Sequence, residues 1–331
     1  HFIVHLFVPA VGDVLVKRVF DKLPIILMVN EEQLYMVLGE CPSCGGSARK
    51  RWHRHDRLQL WLCRDCGLGY SDPQPIEQVE DLYLSGYDLA GYFEAFESRK
   101  SVLNERRLDR LPRPDGGKTL LDVGCADGQF AAAAALRGWS PSGIELNPPA
   151  AEKARARGVE VYQGDIGEID LSSSRFDLVT SWDVIEHVPN PRLFLEKLAS
   201  FVKPGGTVVV TTLNRRSLVS RAFRGGWSMI VEDHYTYWDR PSLTRAFAAA
   251  GMSVSETRSY GVGRDFVSKI DRWRGSGENK ADPEGVAPAT RSDSSRWDVN
   301  PVVLAAENGV NLLLDKLSLG VEIEIVSRAP R

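Results

Sequence analysis

The sequence has little cysteine, no long apolar run and no large excess of charge of either sign. Its 331 residues include five cysteines, too few for a disulfide framework in a chain of this length. Charged residues follow the mostly apolar stretch 2–11, so no run reaches the about 20 apolar residues that a membrane-spanning helix needs. The formal net charge of −3 does not indicate nucleic acid or an anionic membrane as a partner. With 43% hydrophobic residues, the chain can bury a sizeable core.

Four of the five cysteines form two C-x-x-C pairs, Cys41 with Cys44 and Cys63 with Cys66. The spacing C-x2-C-x18-C-x2-C is typical of a four-cysteine zinc ribbon, in which each pair makes a tight turn. Four thiolates fill a tetrahedral shell and leave no position for water, so we expect a structural zinc ion. Two redox-active dithiols are the alternative interpretation. Cysteines kept for a metal indicate a reducing compartment, so we expect a cytoplasmic protein.

The segment between the two pairs is basic. From Arg49 to Arg64 there are six Arg or Lys residues and one acid, and Trp52 and Trp61 are interspersed. One interpretation is a nucleic-acid-binding patch. The other is a solvated hairpin between two metal-binding turns, with Trp61 packing inward. We favour the hairpin, while a nucleic-acid partner stays open as the second interpretation.

The stretch from residue 120 to residue 129, LLDVGCADGQ, organises the rest of the chain. An apolar run predicts a strand, the small residues predict a turn, and an alanine-rich helix follows from about Phe130 to Arg137. Glycines there let the backbone approach a ligand. The dinucleotide fingerprint G-x-G-x-x-G does not fit, because Ala126 and Gln129 occupy its second and third glycine positions. We interpret Cys125 as a small side chain that fits the turn, since no histidine is near it in sequence to activate a nucleophile.

Polar side chains follow the next three predicted strands. Glu145 ends an apolar strand about 20 residues after the glycine turn, the separation at which a carboxylate binds two ribose hydroxyls. Asp165 closes the following strand. The fourth strand ends at Trp182 and Asp183 and leads into Glu186-His187-Val188-Pro189. Because ligands of open α/β sheets lie outside the carboxyl ends of the strands, we expect these residues to surround one site.

These motifs, in this order, resemble class I S-adenosylmethionine-dependent methyltransferases. Asp122, two residues before the first glycine, and the small residues after it resemble motif I, and the E-H-V segment is common in the same family. The resemblance implies an α/β fold with a doubly wound, Rossmann-like, seven-stranded sheet that has an antiparallel edge, plus a small N-terminal zinc ribbon. It also implies S-adenosylmethionine as the cofactor and transfer of its methyl group to an acceptor.

The resemblance also implies roles for individual residues. The glycine turn would pass beside the methionine part of the cofactor, Glu145 would hold the ribose, and Asp165 would accept the adenine amino group while Ile166 packs on the ring. Trp182 and Asp183 would lie at the sulfonium end. The expected cofactor-binding residues are Asp122, Gly124, Cys125, Ala126, Gly128, Glu145, Leu146, Asp165, Ile166, Trp182 and Asp183.

Two histidines are candidates for a general base. His187 follows Glu186, and it either removes a proton or holds its loop. His234 lies in an aromatic and polar insertion over about 214–240, in a run similar to the acid-His-x-x-Tyr segment of ribbon-bearing sugar C-methyltransferases, where the histidine is a proposed base. Val231 replaces an aromatic hydroxyl of those enzymes, which argues against C-methylation. The candidate catalytic residues are therefore His234, His187 and Glu186, with His234 the first choice.

The expected domain organisation follows from these motifs. We expect an N-terminal extension over 1–37, a zinc ribbon over 38–75, a helical connector or lid over 76–116 and a methyltransferase domain over 117–331. Within the last, the polar stretch at about 274–296 predicts a disordered insertion. The final strand at 321–326 alternates apolar residues with glutamates, which predicts that it is partly exposed.

The function that these features favour is a methyltransferase for a small-molecule acceptor, such as a sugar or another biosynthetic intermediate. An RNA base methyltransferase that uses the ribbon to bind RNA is the first alternative, and the basic hairpin supports it. The second is a ribbon-bearing scaffold that binds the cofactor without turnover. Glu145, Asp165 and a histidine-bearing insertion argue against the scaffold.

Overall fold

The computed structural model describes residues 15–17, 25–28, 34–37, 39–55, 58–72, 74–75, 97–114, 118–171, 175–261 and 301–329. The predicted disordered insertion at about 274–296 lies outside the described residues, as does the first part of the predicted connector, 76–96. Of the predicted extension over 1–37, three short strands are described.

The described elements are fifteen strands and seven α-helices, with two short 3-10 helices at Ile185–His187 and Arg224–Gly226. The strands are β1 (Leu15–Lys17), β2 (Ile25–Met28), β3 (Leu34–Val37), β4 (Arg49–His55), β5 (Leu58–Cys63), β6 (Gly69–Ser71), β7 (Gln74–Pro75), β8 (Thr119–Val123), β9 (Ser140–Glu145), β10 (Glu160–Gln163), β11 (Phe176–Trp182), β12 (Val202–Leu213), β13 (Thr236–Tyr237), β14 (Ser253–Tyr260) and β15 (Glu322–Arg328). The helices are α1 (Glu97–Arg110), α2 (Gln129–Leu136), α3 (Pro148–Ala156), α4 (Pro191–Phe201), α5 (Leu218–Phe223), α6 (Arg240–Ala249) and α7 (Pro301–Leu317).

The largest sheet has seven strands in the order β10-β9-β8-β11-β12-β15-β14. The first five strands in that order are parallel, and β15 and β14 are antiparallel to their neighbours. The predicted doubly wound sheet with an antiparallel edge is thus confirmed. The chain runs outward from β8 in one direction to β9 and β10, and in the other to β11 and β12. Loops at the carboxyl ends of β8 and β11 therefore face a common crevice, which is where such sheets bind ligands.

Close packing of helices on this sheet depends on small residues. In α2, Ala131 and Ala134 are fully buried, so the alanine-rich sequence lets the helix lie close to the strands.

Two helices begin at asparagine caps. The side chain of Asn147 caps α3 by accepting a hydrogen bond of 2.9 Å from the Ala150 amide, and Asn190 caps α4 in the same way. Each cap satisfies an amide that the first helical turn leaves unpaired.

The last strand is partly exposed, with Glu322 and Val326 half-buried and Arg328 exposed, but Glu324 is buried, which the alternation did not predict. Strand β15 lies between β12 and β14, and Ile323 and Ile325 are fully buried. Glu324 is only 2% exposed. Its carboxylate accepts hydrogen bonds of 3.2 Å from Arg110 and Arg258. The alternation of glutamate with apolar residues indicated one solvated face, but two arginines cover that face and neutralise the buried charge.

A four-stranded sheet in the order β13-β6-β5-β4 contains the cysteine pairs. We call residues 39–72, which include β4, β5 and β6, the cysteine ribbon. The remaining strand of this sheet, β13, lies outside the ribbon and follows β12 in the chain. The buried side chains of Leu58 and Leu60 share a hydrophobic cluster with Trp227 and Ile230, so the ribbon packs against the same region through side chains as well. The short strands β1, β2, β3 and β7 form a separate antiparallel sheet.

Within the described part of the chain, none of the helices combines the length and the apolar character required to cross a bilayer.

Candidate active site

The turn after β8 is shaped by three residues with left-handed backbone angles. Gly124 has φ 75°, Ala126 has φ 51° and Gly128 has φ 77°. The amides of Gly124 and Cys125 donate to the Ile144 carbonyl over 2.8 and 3.0 Å, so the turn is held against the end of β9. Helix α2 starts directly after Gly128, whose backbone begins the helix without a side-chain cap. Amides at this helix start face outward with the positive end of the helix dipole.

A side chain at either turn glycine would collide with neighbouring residues, Val184 or Ala154. A Cβ on Gly124 would lie 2.5 Å from Val184 Cγ2, and one on Gly128 would lie 2.8 Å from the Cα of Ala154. These contacts show that the turn is a narrow cradle in which only glycine fits at two positions. A cradle of this shape suits a ligand that packs directly on the backbone.

Glu145 is held in place by the turn. Its Oε2 accepts a hydrogen bond of 2.8 Å from the Ala126 amide, and its Oε1 accepts one of 2.8 Å from the Asn147 amide. Burial raises the pKa of Glu145, and the backbone amides oppose that shift. The carboxylate is therefore oriented by backbone on both sides while lone pairs remain for two hydroxyl donors.

Asp122 and Cys125 have side chains that pack inside the protein. Asp122 is 2% exposed and accepts a hydrogen bond of 2.8 Å from the Thr180 hydroxyl, and burial raises its pKa to about 7. Cys125 is buried, and its sulfur occupies the space beside Gly143, where a Cβ would approach to 2.4 Å. Burial raises the pKa of Cys125, so its thiol has no nucleophilic character. This packing fits the interpretation of Cys125 as a small side chain.

Three further residues expected to bind the cofactor follow β9 and β10. Leu146 is 38% exposed directly after Glu145. Asp165 is exposed and accepts a hydrogen bond of 2.6 Å from the Gly167 amide, while Ile166 is half-buried against the main core. Asp165 follows β10, next to β9, so it lies at the same edge of the sheet as Glu145.

At the end of β11, Trp182 and Asp183 contact helix α1. The Trp182 ring lies edge-on to Phe130 at 5.0 Å, and the Arg107 guanidinium carbon lies 4.5 Å from the centre of the same ring. Asp183 adopts a left-handed φ of 57° and receives hydrogen bonds from Arg107 over 2.7 Å and from the Thr211 hydroxyl over 2.8 Å. Asp183 is therefore held in a fixed orientation at the carboxyl end of β11.

The 3-10 helix after β11 carries the first candidate base. Glu186 is 1% exposed, and its Oε2 accepts a hydrogen bond of 2.8 Å from the Thr212 hydroxyl. Burial raises the pKa of Glu186 to about 7. The half-buried His187 follows, and its Nδ1 lies 2.9 Å from the Asp233 carbonyl oxygen. A carbonyl can only accept, so Nδ1 carries the proton and Nε2 is the basic nitrogen of His187.

The two candidate histidines lie side by side, and Asp233 lies close to both. The rings of His187 and His234 are edge-to-face with centres 4.6 Å apart. Asp233 Oδ2 lies 3.4 Å from His187 Nδ1, and one ligand-type atom from each of the three residues lies within 4.8 Å of the others. His234 Nδ1 lies 2.7 Å from the Met229 carbonyl, which again leaves Nε2 as the basic nitrogen.

The surroundings make the two histidines chemically different. Burial would lower the pKa of His187, but the hydrogen bond and charge of Asp233, with the charge of Glu186, raise it above its ordinary value. Burial, together with the charge of His187, lowers the pKa of His234 to about 4. The pKa of Asp233 is lowered, because the pairing with His187 outweighs its burial. His187 is therefore much the stronger base.

The four cysteines of the ribbon form one cluster. Their sulfur atoms all lie within 4.8 Å of one another, with Cys41 and Cys66 at 3.5 Å and Cys44 and Cys63 at 3.6 Å. Each pair closes a turn through a backbone hydrogen bond, from Gly45 to the Cys41 carbonyl and from the equivalent glycine to the Cys63 carbonyl. Cys44 is exposed and the other three are buried.

The thiols of this cluster compete for protons. The hydrogen bond from Cys41 lowers the pKa of Cys66 to about 5, while the partner thiol and burial raise the pKa of Cys41. Burial raises the pKa of Cys44 to about 11. Four thiolates at these distances repel one another, so all four ionise together only around a cation. Four closely placed thiols are a donor set that fits Zn²⁺.

The sequence did not reveal two residues that complete the site. Arg107 binds Asp183 from a helix 76 residues earlier, and no motif marks it. Asp233 was visible as the acid beside His234, but its contact is with His187, which lies 46 residues earlier. The acid-His run marked Asp233 in the sequence but gave no indication of its contact with His187.

Comparisons with known proteins agree with this geometry. Residues 94–257 match the family model described as a methyltransferase domain. The chain is 36% identical over 154 residues to ubiquinone biosynthesis O-methyltransferase of Azoarcus sp. (strain BH72), a match that covers 44% of this chain and 64% of that relative. The protein of the same name from Vibrio vulnificus (strain YJ016) is 34% identical over the same shares of the two chains. The chain thus spans less than two thirds of the length of these relatives.

Solved structures support the fold. A chain of the Haloferax volcanii complex between the Trm112 methyltransferase activator and a methyltransferase aligns with a TM-score of 0.50 at 20% identity, over 75% of this chain and 98% of that chain. Phosphoethanolamine N-methyltransferase 2 of Haemonchus contortus, solved with S-adenosyl-L-methionine, aligns with a TM-score of 0.50 at 15% identity, over 80% of this chain and 63% of that chain. The sheet order and the family match over 94–257 together support a class I, S-adenosylmethionine-dependent methyltransferase domain in this part of the chain.

Proposed function

We propose that this protein transfers the methyl group of S-adenosylmethionine to a hydroxyl group of a small molecule, and that His187 removes the hydroxyl proton. The observation that carries the proposal is the contact between Asp233 and His187, which lies in the loop that follows the carboxyl end of β11. The O-methyltransferase name of the relatives supports a small-molecule acceptor and transfer to oxygen.

The residues around the glycine cradle fit the proposed cofactor. The backbone of Gly124 and Gly128 would pack on its methionine part, and neither position has room for a side chain. Glu145 would accept hydrogen bonds from the ribose hydroxyls, since two amides already orient its carboxylate. Asp165 would accept the adenine amino group, with Ile166 against the ring.

The cofactor, when bound, supplies a methyl group that its sulfonium has already activated, so the chain chiefly provides alignment and a base. The sulfonium would be the leaving group and would keep the electron pair of the carbon–sulfur bond when the acceptor oxygen takes the methyl group. The hydroxyl proton passes to Nε2 of His187. Asp233 then stabilises the imidazolium that forms, because its carbonyl and carboxylate both face Nδ1.

The geometry favours His187 over His234, which was the first choice from the sequence. A general base works best when its pKa is near the working pH. The pKa of His187 is raised, whereas that of His234 is lowered to about 4, which makes His234 a weak base. We assign His234 the role of packing against His187, and buried Glu186 the role of holding the loop through Thr212.

We also propose that Cys41, Cys44, Cys63 and Cys66 hold a structural Zn²⁺. The four sulfur atoms already lie together, and four thiolates leave no open position for substrate or water. The metal would cross-link the two turns of the ribbon and take no part in the transfer step.

The RNA alternative receives less support from the ribbon surface. Arg49, in the basic strand, pairs with buried Asp72 and lies over the Trp61 ring, so it stabilises the ribbon itself. Strand β4 is the outer strand of its sheet, where exposed charges such as Lys50 and Arg51 prevent edge-to-edge association. This accounts for the basic hairpin without a nucleic-acid partner.

A methyl-transfer assay tests the proposal. The purified chain would be incubated with S-adenosylmethionine labelled in the methyl group and three acceptor sets: small phenols and catechols, sugar nucleotides, and total RNA. We expect label in a hydroxyl-bearing small molecule and at least about a 100-fold lower rate for His187→Ala at unchanged cofactor affinity. The exposed Arg192→Ala is the matched control. Label in RNA alone, or cofactor binding with no product from any set, would contradict the proposal.

A further inference from the structure

The cysteine ribbon shares one sheet with β13, the strand that follows Asp233 and His234. Strand β6 of the ribbon pairs with β13, with Tyr70 opposite Thr236 and Gly69 opposite Tyr237. The Ser71 amide adds a hydrogen bond of 3.0 Å to the Tyr235 carbonyl. Strand β13 begins two residues after His234, so the ribbon supplies the neighbouring strand for the segment that carries both Asp233 and His234.

A side chain makes a second connection at the metal-binding turn. The Arg245 guanidinium, on α6, donates a hydrogen bond of 3.0 Å to the carbonyl of Cys66. Helix α6 starts at the capping box of Asp239 and Ser242, directly after β13. The segment after His234 is thus held by the ribbon at its strand and again at the helix that follows.

The same segment is held from the other side by the loop of the candidate base. The Tyr235 amide donates 2.7 Å to the Glu186 carbonyl, and the Thr236 hydroxyl donates 3.1 Å to the Ile185 carbonyl. These bonds place β13 between the ribbon and the 3-10 helix that carries His187. A shift of β13 would therefore move the Asp233 carbonyl relative to His187 Nδ1.

The ribbon itself depends on its cluster. Cys66 lies three residues before β6 and Cys63 ends β5, so the second cysteine turn sets the position of β6. The ribbon has few buried apolar side chains of its own, notably Leu60, Leu68 and Tyr70. Modules of this size take most of their folding free energy from the metal, and they loosen when it leaves.

We propose that the metal-bound ribbon positions the catalytic pair, with β6 and Arg245 holding Asp233 against His187 through β13. The inference rests on the proposed function for the importance of the pair, but the positioning can be measured without turnover. The residues proposed for the methionine, ribose and adenine parts of the cofactor follow β8, β9 and β10, which lie at the other end of the sheet order from the antiparallel strands. Metal loss should therefore affect the pair and spare cofactor binding.

The first experiment compares the zinc-loaded full chain with the same protein after chelation under reducing conditions. The readouts are the NMR titration of His187, assigned with His187→Ala, the hydrogen exchange of the Tyr237 amide, and calorimetric affinity for S-adenosylmethionine. We expect zinc removal to move the His187 titration to lower pH and to speed Tyr237 exchange about 10-fold or more, with affinity changed by less than about twofold. An unchanged His187 titration in the metal-free protein overturns the proposal.

A variant that keeps all four cysteines distinguishes a loss of positioning from general unfolding of the ribbon. Arg245→Ala removes the hydrogen bond to Cys66, and Arg245→Lys restores one donor. We expect Arg245→Ala to retain zinc, to shift the His187 titration in the same direction and to lower kcat about 5-fold to 10-fold, with partial recovery in Arg245→Lys. If Arg245→Ala and Arg245→Lys both behaved like the Arg192→Ala control, the proposal that the ribbon positions the catalytic pair would be contradicted. If His187→Ala turned over at full rate while zinc still controlled the titration, the base assignment would fail and the positioning would stand.

Discussion

The Asp233 carbonyl oxygen lies 2.9 Å from His187 Nδ1, and the carboxylate Oδ2 of the same residue lies 3.4 Å from that nitrogen. One residue therefore fixes the tautomer of His187 through its backbone and raises the basicity of the ring through its charge. The carbonyl remains when the side chain is changed, so the two effects can be separated by mutation.

Asp233→Asn tests the effect of the charge. The raised pKa of His187 means that the neutral base forms only at higher pH, so kcat should rise with pH through that pKa. Without the carboxylate the pKa falls, and the acid limb of the kcat profile should move to lower pH while the plateau drops about 10-fold to 100-fold. Asp109→Asn, which alters an exposed acid paired with Arg137, should leave the profile in place. An unmoved acid limb in Asp233→Asn would show that His187 is not the titrating base.

Glu145→Gln tests the proposed ribose contact. The amide group can accept fewer hydrogen bonds and carries no charge, so affinity for S-adenosylmethionine should fall about 10-fold, equivalent to about 1.4 kcal/mol. Isothermal titration calorimetry measures the change, and Glu152→Gln on the exposed surface of α3 serves as the control. Equal affinity of the two variants would remove Glu145 from the cofactor site.

Gly128→Ala and Gly158→Ala separate backbone strain from steric overlap. Both glycines have left-handed angles, φ 77° and 84°, so each substitution should cost about 1 kcal/mol from the backbone alone. Only at Gly128 would the new Cβ meet neighbouring atoms, with Ala154 Cα at 2.8 Å, which should add about 1–3 kcal/mol. Urea unfolding of both variants checks this difference, and equal losses would mean that α3 moves away without cost.

Glu186→Gln tests the cost of a buried carboxylate. Burial raises the folded-state pKa of Glu186 to about 7 from its ordinary 4.5, so the folded protein keeps a proton that the unfolded chain releases between those values. Stability should therefore fall as pH rises across this window, and above pH 7 the full penalty is present.

Replacing Glu186 by glutamine removes that titration but keeps an oxygen that can accept from Thr212. The variant should be more stable than the parent at pH 8 by about 2 kcal/mol and similar to it at pH 5. Urea unfolding at both pH values gives the comparison, with Glu196→Gln on the surface of α4 as the control. Destabilisation at pH 8 would mean that the charge of Glu186 is needed by His187.

Local patterns predicted the parts of the fold that depend on neighbouring residues. The strand, glycine turn and alanine-rich helix at 119–136 are one contiguous unit, and the two C-x-x-C pairs bring their own turns. The seven-stranded order followed from recognising that unit within a family, since periodicity alone gives strands without their neighbours.

The contacts that the sequence did not reveal join distant segments. Arg107 with Asp183, Asp233 with His187, and β6 with β13 each depend on how whole elements pack, and no spacing rule links such residues. Glu324 was misjudged for the same reason, because its two arginines come from α1 and β14. Periodicity records how often a face is polar and carries no information on what covers it.

Glu324 also has a consequence for the order in which the domain assembles. Its carboxylate meets Arg110, which precedes it by 214 residues, and it does so inside the sheet between β12 and β14. Helix α1 and strand β14 precede Glu324 in the chain, so the arginines of both elements reach this shared anion only once β15 has been made. The seven-stranded sheet can therefore be completed only after β15 inserts between β12 and β14, and until then the facing edges of those two strands have no partner.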